Sequence, residues 1–239
     1  KFIHLTSVII LISCMLQADE YSSIGTSRPG AANPTSSIPY GLYQFEIGTN
    51  LSTGPSMDTT FTLPTLLRMG VYKNTELQVA YSNKFLTLGI LYGGINFRGF
   101  ENSIIITTSL TENNAALTEY NAYFPISYSF QNGYSIWGQV GGTLINNDDR
   151  NPIISYSLAI GNNFGDKTNW FIEAYQSRSI DEENKVNGPP FSIDYGFTYL
   201  AGNNVQFDIS MGVTFEKEHK NYTETSRFIE WGCSFRLPY

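Results

Sequence analysis

The chain has 239 residues and a formal net charge of −7; 15% of its residues are charged and 15% aromatic, with 16 Tyr beside 16 Phe. That length accommodates one β-barrel domain without a second core, and the acidic balance excludes nucleic acid as a partner, because there is no basic surplus to release counterions from phosphate. Charged residues fall short of the roughly 25% of an ordinary soluble domain, but Ser, Thr, Asn and Gly are plentiful, so composition alone leaves soluble and membrane β-proteins both open.

The first landmark is Lys1 followed by the apolar run Val8-Ile9-Ile10-Leu11-Ile12 and a small residue at Ala18. This reads as a signal peptide over residues 1–18, with an initiator methionine expected ahead of Lys1. The run is too short for a transmembrane helix, which needs about 20 residues. Leu11-Ile12-Ser13-Cys14 also has the form of a lipoprotein signal, so Cys14 is either lipidated or removed with the leader. Cys233 is the other cysteine, no intramolecular disulfide is expected in the mature chain, and CxxC or Cys/His metal spacing is absent. Residues 19–39 are rich in Ser, Gly, Pro, Thr and Asn and read as an extended N-terminal segment, partly inside a pore or on its periplasmic face.

From Tyr40 a period of two takes over and no helical periodicity is visible. The clearest strand is 205–215, with Val205, Phe207, Ile209, Met211, Val213 and Phe215 on one face and Gln206, Asp208, Ser210, Gly212 and Thr214 on the other. Its length matches a tilted membrane strand better than a sandwich strand. Similar segments are expected at 40–51, 59–72, 74–83, 85–97, 101–110, 120–131, 133–146, 152–164, 168–178, 191–201, 203–216 and 226–239. Twelve is an even number, as a single-chain bacterial barrel requires, and short turns alternate with longer polar connections at 111–119, 179–190 and 217–225. Alternation is weakest at Gly93-Gly94 and Ile104-Ile105-Ile106. In the last segment Ile229, Trp231, Cys233, Phe235 and Leu237 alternate up to a terminal ring, Tyr239. A sheet closed on itself leaves no unpaired edge in lipid. The expected fold is therefore an all-β transmembrane antiparallel barrel of about twelve strands over 40–239, in the bacterial outer membrane.

Glu46, Arg68, Glu76, Asp194, Asp208 and Glu230 all alternate with residues assigned to lipid. An Arg facing lipid at the midplane would cost about 2–4 kcal/mol, whereas a lumen position carries no such penalty. These six are the lumen-lining candidates. They either set the selectivity of a polar path or, with Arg68 paired to carboxylates, fill a narrow barrel. Glu173 shares its parity with Phe171 and Tyr175, which implies a ring cluster in the lumen or a bulge. No catalytic, cofactor-binding or metal residue is assigned. A nucleophilic enzyme needs a base, and the one histidine beyond the leader, His219, stands in the charged run 216–220. Acidic stretches at 147–149 and 181–183 read as solvated loop charge, with cation bridging to lipopolysaccharide as the alternative.

The chain resembles the outer-membrane transporter family called the MetA-pathway of phenol degradation proteins. The resemblance rests on Arg28-Pro29-Gly30, Gln44-Phe45-Glu46-Ile47-Gly48, the run from Leu63 through Val71, Thr75-Glu76-Leu77, Asp194-Tyr195-Gly196, the run from Asn204 through Asp208, and the run from Gly232 through Arg236. A Pro-x-Gly of the family's middle strand is replaced around 108–113. The resemblance implies a barrel that passes small organic solutes, with aromatic compounds suggested by the family's name. The expected partners are outer-membrane lipid and lipopolysaccharide, the barrel-assembly machinery acting on the last strand, and a small organic solute. The competing expectations are a plugged structural or adhesion barrel and a lipid-modifying barrel enzyme.

Overall fold

The computed structural model describes residues 23–27, 30–54, 58–111, 114–146, 151–180, 188–218 and 221–238. The proposed leader with Cys14, the pair Arg28-Pro29, both acidic stretches, His219 and Tyr239 lie outside these residues.

Thirteen strands form one antiparallel sheet: β1 (Leu42–Thr53), β2 (Thr59–Thr62), β3 (Thr65–Tyr72), β4 (Thr75–Ser82), β5 (Phe85–Phe97), β6 (Phe100–Thr111), β7 (Asn114–Ser129), β8 (Tyr134–Ile145), β9 (Ile153–Phe164), β10 (Thr168–Ser179), β11 (Gly188–Gly202), β12 (Val205–Glu218) and β13 (Asn221–Pro238). From β3 to β13 each strand pairs with its sequence neighbour, β1 pairs with both β2 and β3, and β13 returns to β1 in continuous register from Leu42↔Pro238 to Thr53↔Arg227. The ring is closed, so no edge is left to hydrogen-bond in lipid. Phe45 and Phe235 stack across this seam with ring centroids 5.2 Å apart.

β2 and β3 together are one wall of a twelve-strand ring. Both pair with β1, β2 through Asn50–Thr53 and β3 through Tyr43–Ile47. The single strand expected over 59–72 is broken at Leu63-Pro64, because proline has no N–H for the ladder. Only its carbonyl is used, accepting from the Gly48 N–H at 2.9 Å.

Alternation sorts the side chains as lipid and lumen demand. Leu88, Ile106, Phe124, Leu158, Phe197 and Ile209 are exposed on the outer face. Gln44, Glu46, Arg68, Glu76, Asn121, Ser157, Asp194 and Asp208 are buried inside. An inverted sheet would put all of these polar groups into hydrocarbon. At the weakest stretch of alternation, β5 shifts register between Tyr92 and Ile95, and Gly94 is in the left-handed region at φ +71°. The extra residue there breaks the period of two.

The longer polar connections expected at 111–119, 179–190 and 217–225 are shorter than anticipated. β6 and β7 reach Thr111 and Asn114, β11 begins at Gly188, and β12 and β13 reach Glu218 and Asn221. These strand ends rise past the apolar band, where neither face needs to be apolar and the sequence signal fades.

Candidate functional site

The lumen is shaped by residues 23–27 and 30–39, which run inside the ring before the chain enters the wall at β1. The segment meets the wall at the turn joining β11 and β12, where the Ile24 N–H donates to the Asn203 carbonyl at 2.8 Å. Gly25 offers its carbonyl to Gln44 Nε2 at 2.8 Å and Arg68 Nη1 at 3.0 Å. The Ser27 N–H donates to both Glu46 oxygens, at 3.1 and 2.9 Å. Crossing the lumen, the N–H groups of Ala31 and Ala32 donate to Glu173 at 2.6 and 3.0 Å. Gln139 accepts from the Asn33 N–H at 3.0 Å and donates to the Ala31 carbonyl at 2.9 Å. Ser103 donates to the Pro34 carbonyl, Gly94 N–H to the Thr35 carbonyl, and the Ile38 N–H to Glu76, each at 2.8 Å. A backbone confined away from bulk water must find such partners. Here the wall's carboxylates, amides and hydroxyls provide them.

Two wall glycines give the segment room. A Cβ at Gly70 would collide with the Pro39 carbonyl oxygen, and one at Gly93 would lie 2.9 Å from both the Ser37 N and the Thr35 O. Larger inward side chains at these positions would push the segment off the wall.

Arg68 is the centre of the charged cluster. It is 1% exposed and grips Glu76 with two parallel bonds, Nε to Oε1 at 2.7 Å and Nη2 to Oε2 at 2.8 Å. Nη1 reaches Glu46 at 3.3 Å, and Nη2 donates to the Ser36 carbonyl at 3.2 Å. Two carboxylates on one guanidinium leave excess negative charge. Further donors offset it: Gln44 Nε2 on Glu46 at 2.8 Å and Gln78 Nε2 on Glu76 at 2.7 Å, besides the segment's own N–H groups. Buried charge survives only when its remaining lone pairs are satisfied in this way.

The other candidates lie around the same interior. Asp194 stands opposite Glu173 across β10 and β11, and Asp208 stands opposite Thr198 across β11 and β12. Both are buried, at 3% and 5% exposure. Glu230 is half-buried and bonded to Asn50 Nδ2. Glu173, left open between a lumen cluster and a bulge, points inward with Phe171 in a ladder that runs unbroken from β9 through β10. Sequence reasoning missed wall residues that act on the segment or its anchor, among them Gln44, Gln139, Ser103 and Arg236. Arg236 holds the turn where the segment begins, donating to Asn204 Oδ1 at 3.2 and 3.1 Å and to the Asn203 carbonyl at 3.3 Å. Its inward parity on β13, shared with Glu230, was the available signal.

The segment divides the free lumen into two chambers. One, of about 440 Å³, opens toward the long-loop end and is lined by Thr87, Thr107, Asn121, Tyr123, Ser155 and Tyr175 among others, with Ala31 and Asn33 at its floor. The second, of about 370 Å³, lies toward the short turns and is bounded by Ala32, Asn33, Pro34 and Thr35. None of Glu46, Arg68, Glu76, Asp194, Asp208 and Glu230 is among the residues lining either chamber. Hydroxyl- and amide-bearing residues of β5 to β10 border most of the free space, with Glu119 in the larger chamber, and charged and neutral wall residues together hold the segment.

A closed ring with an apolar exterior and a polar interior defines an outer-membrane β-barrel. The chain belongs to the family described as "Putative MetA-pathway of phenol degradation", whose model matches residues 26–231. Among solved structures it is similar to an outer-membrane channel from Pseudomonas putida F1, with TM-score 0.63 and 10% identity over 88% of this chain and 99% of that one. It is also similar to the NanC porin, at TM-score 0.59 and 9% identity over 81% and 100%, and to the KdgM porin, at 0.58 and 8% over 80% and 98%. At such identities the likeness establishes the fold. No curated protein sequence matches the chain.

Proposed function

We propose that the barrel is a passive channel for small organic solutes, and that the N-terminal segment sets its bore. The observation that carries this reading is the pair of polar chambers meeting at Ala31–Asn33, one toward each end of the barrel. The solved relatives named as channel and porins support it, and the family's description favours solutes of aromatic character. In this reading residues 1–18 are the export signal, lipopolysaccharide and lipid surround the wall, and the assembly machinery engages β13. Deleting residues 235–239 removes part of the closing seam, so the truncated chain should accumulate unassembled; normal insertion of it would remove β13 from that role. No chemistry on the solute is proposed, since the sequence supplies almost no histidine for general-base work.

The segment's bonds to the wall also favour a second reading, a barrel closed by its own N-terminus whose loops do the work. Planar-bilayer recording separates the two. A channel gives small, reproducible unitary currents in potassium chloride from the purified full-length protein. Verified insertion without any current would favour the closed barrel.

A further inference from the structure

We infer that the chamber toward the short turns is a binding site for an uncharged ring-shaped solute carrying hydroxyl groups. The inference rests on the channel reading and adds to it a place and a chemical class.

The chamber's lining carries the argument. Among its described lining residues none is charged, although the same lumen holds Glu46, Arg68, Glu76, Asp194 and Asp208, the last a cross-strand neighbour of the lining residue Thr198. Trp137 and Phe171 supply ring surface, with centroids 6.3 Å apart and planes inclined at 53°. Trp137 packs against Gly161, where a Cβ would lie 2.8 Å from the indole, so that glycine makes room for the ring. Around these rings lie Asn163, Asn169, Ser129 and Thr198. Asn169 Nδ2 donates to Thr198 Oγ1 at 3.1 Å, which orients the amide, while Asn163 is exposed.

Three kinds of solute can be weighed against this lining. A charged one would surrender hydration without meeting an opposite charge, which is costly in a confined space. An unsubstituted hydrocarbon would cover the rings but leave amides and hydroxyls stripped of water and unpaired. An uncharged ring with hydroxyl groups meets both demands: its apolar face stacks on Trp137 and Phe171, and its hydroxyls exchange bonds with groups that both donate and accept. The chamber's 370 Å³ falls in the lower part of the roughly 300–1,000 Å³ range of small-molecule sites. Phenolic rings and monosaccharides share this chemistry.

Calorimetric titration of the purified full-length protein in detergent tests the inference, with catechol and glucose as the two neutral hydroxylated rings and benzoate and toluene as controls. At least one of the first pair should bind at least tenfold more tightly than both controls, and which one binds identifies the source. Trp137→Ala should weaken that binding tenfold or more. Asn169→Ala provides a second variant if Trp137→Ala does not fold, and should also weaken it. Benzoate or toluene binding as tightly as the neutral hydroxylated rings would overturn the inference. So would binding by neither ring, or binding unchanged in both variants. Conductance in potassium chloride is read on the same preparations. Current without ring binding overturns the site alone, whereas ring binding without current supports the site and counts against the channel.

Discussion

Arg68→Ala is expected to lower the temperature at which the folded barrel loses its heat-resistant gel mobility, and to shift the reversal potential toward cations. Removing one partner of a buried ion pair costs about 3–5 kcal/mol, because the remaining charge stays buried. Here two carboxylates, Glu46 and Glu76, would remain. The donors from Gln44, Gln78, Ser27 and Ile38 persist and hold the effect toward the lower end of that range. Arg68 also bonds the Gly25 and Ser36 carbonyls, so its loss frees the segment at two points. Arg68→Met keeps most of the side chain's bulk and should resemble Arg68→Ala if charge is what matters. Wild-type melting and ion preference in Arg68→Ala would show that this residue has no part in holding or tuning the lumen.

Deleting residues 23–34 should produce the largest change in conductance. The deletion removes the strip between the chambers and the donors that now satisfy Glu46 and Glu173. The chambers then merge into one water-filled bore, with current rising several-fold. With Glu46, Glu173, Asp194 and Asp208 facing water in that bore, against Arg68 and Arg236, permeation should favour cations. Glu173→Ala is a milder form of the same test: it releases Ala31 and Ala32 and should increase current fluctuations without merging the chambers. Unaltered unitary current after the deletion would mean that the segment does not limit the path.

The wall was legible in the sequence because lipid enforces it. Every second residue of Val205–Phe215 had to be apolar, and the same rule indicated which side Glu46, Arg68 and Asp208 face. Legibility ended where that constraint did. Beyond the apolar band, the β6–β7 and β12–β13 hairpins continue as strands without alternation. The course of the N-terminal segment stayed open between the pore and the periplasmic face for a different reason. Its Ser, Gly, Pro and Asn composition suits water and a polar lumen equally, and the segment is held largely through its backbone, which carries no residue-specific signal. The traces lay on the wall instead. Glu173 was an inward carboxylate without an obvious cation, and Gly70 and Gly93 left the wall bare where the N-terminal segment passes. The meeting of Arg68 with Glu46 and Glu76 depends on strand neighbours around a closed ring, which no single strand's pattern reveals.

The segment that crosses the lumen is joined directly to β1, which gives its attachment the character of a tethered equilibrium. Once displaced, it cannot diffuse away. A short tether keeps a displaced segment near its site at an effective concentration on the order of millimolar. Release and return are then unimolecular, and the fraction of time spent displaced does not depend on how many barrels the membrane holds. Weakening one anchor shortens each docked interval but leaves the return rate nearly unchanged. A free peptide of residues 23–34 should accordingly block the deletion variant only when supplied at roughly that millimolar concentration.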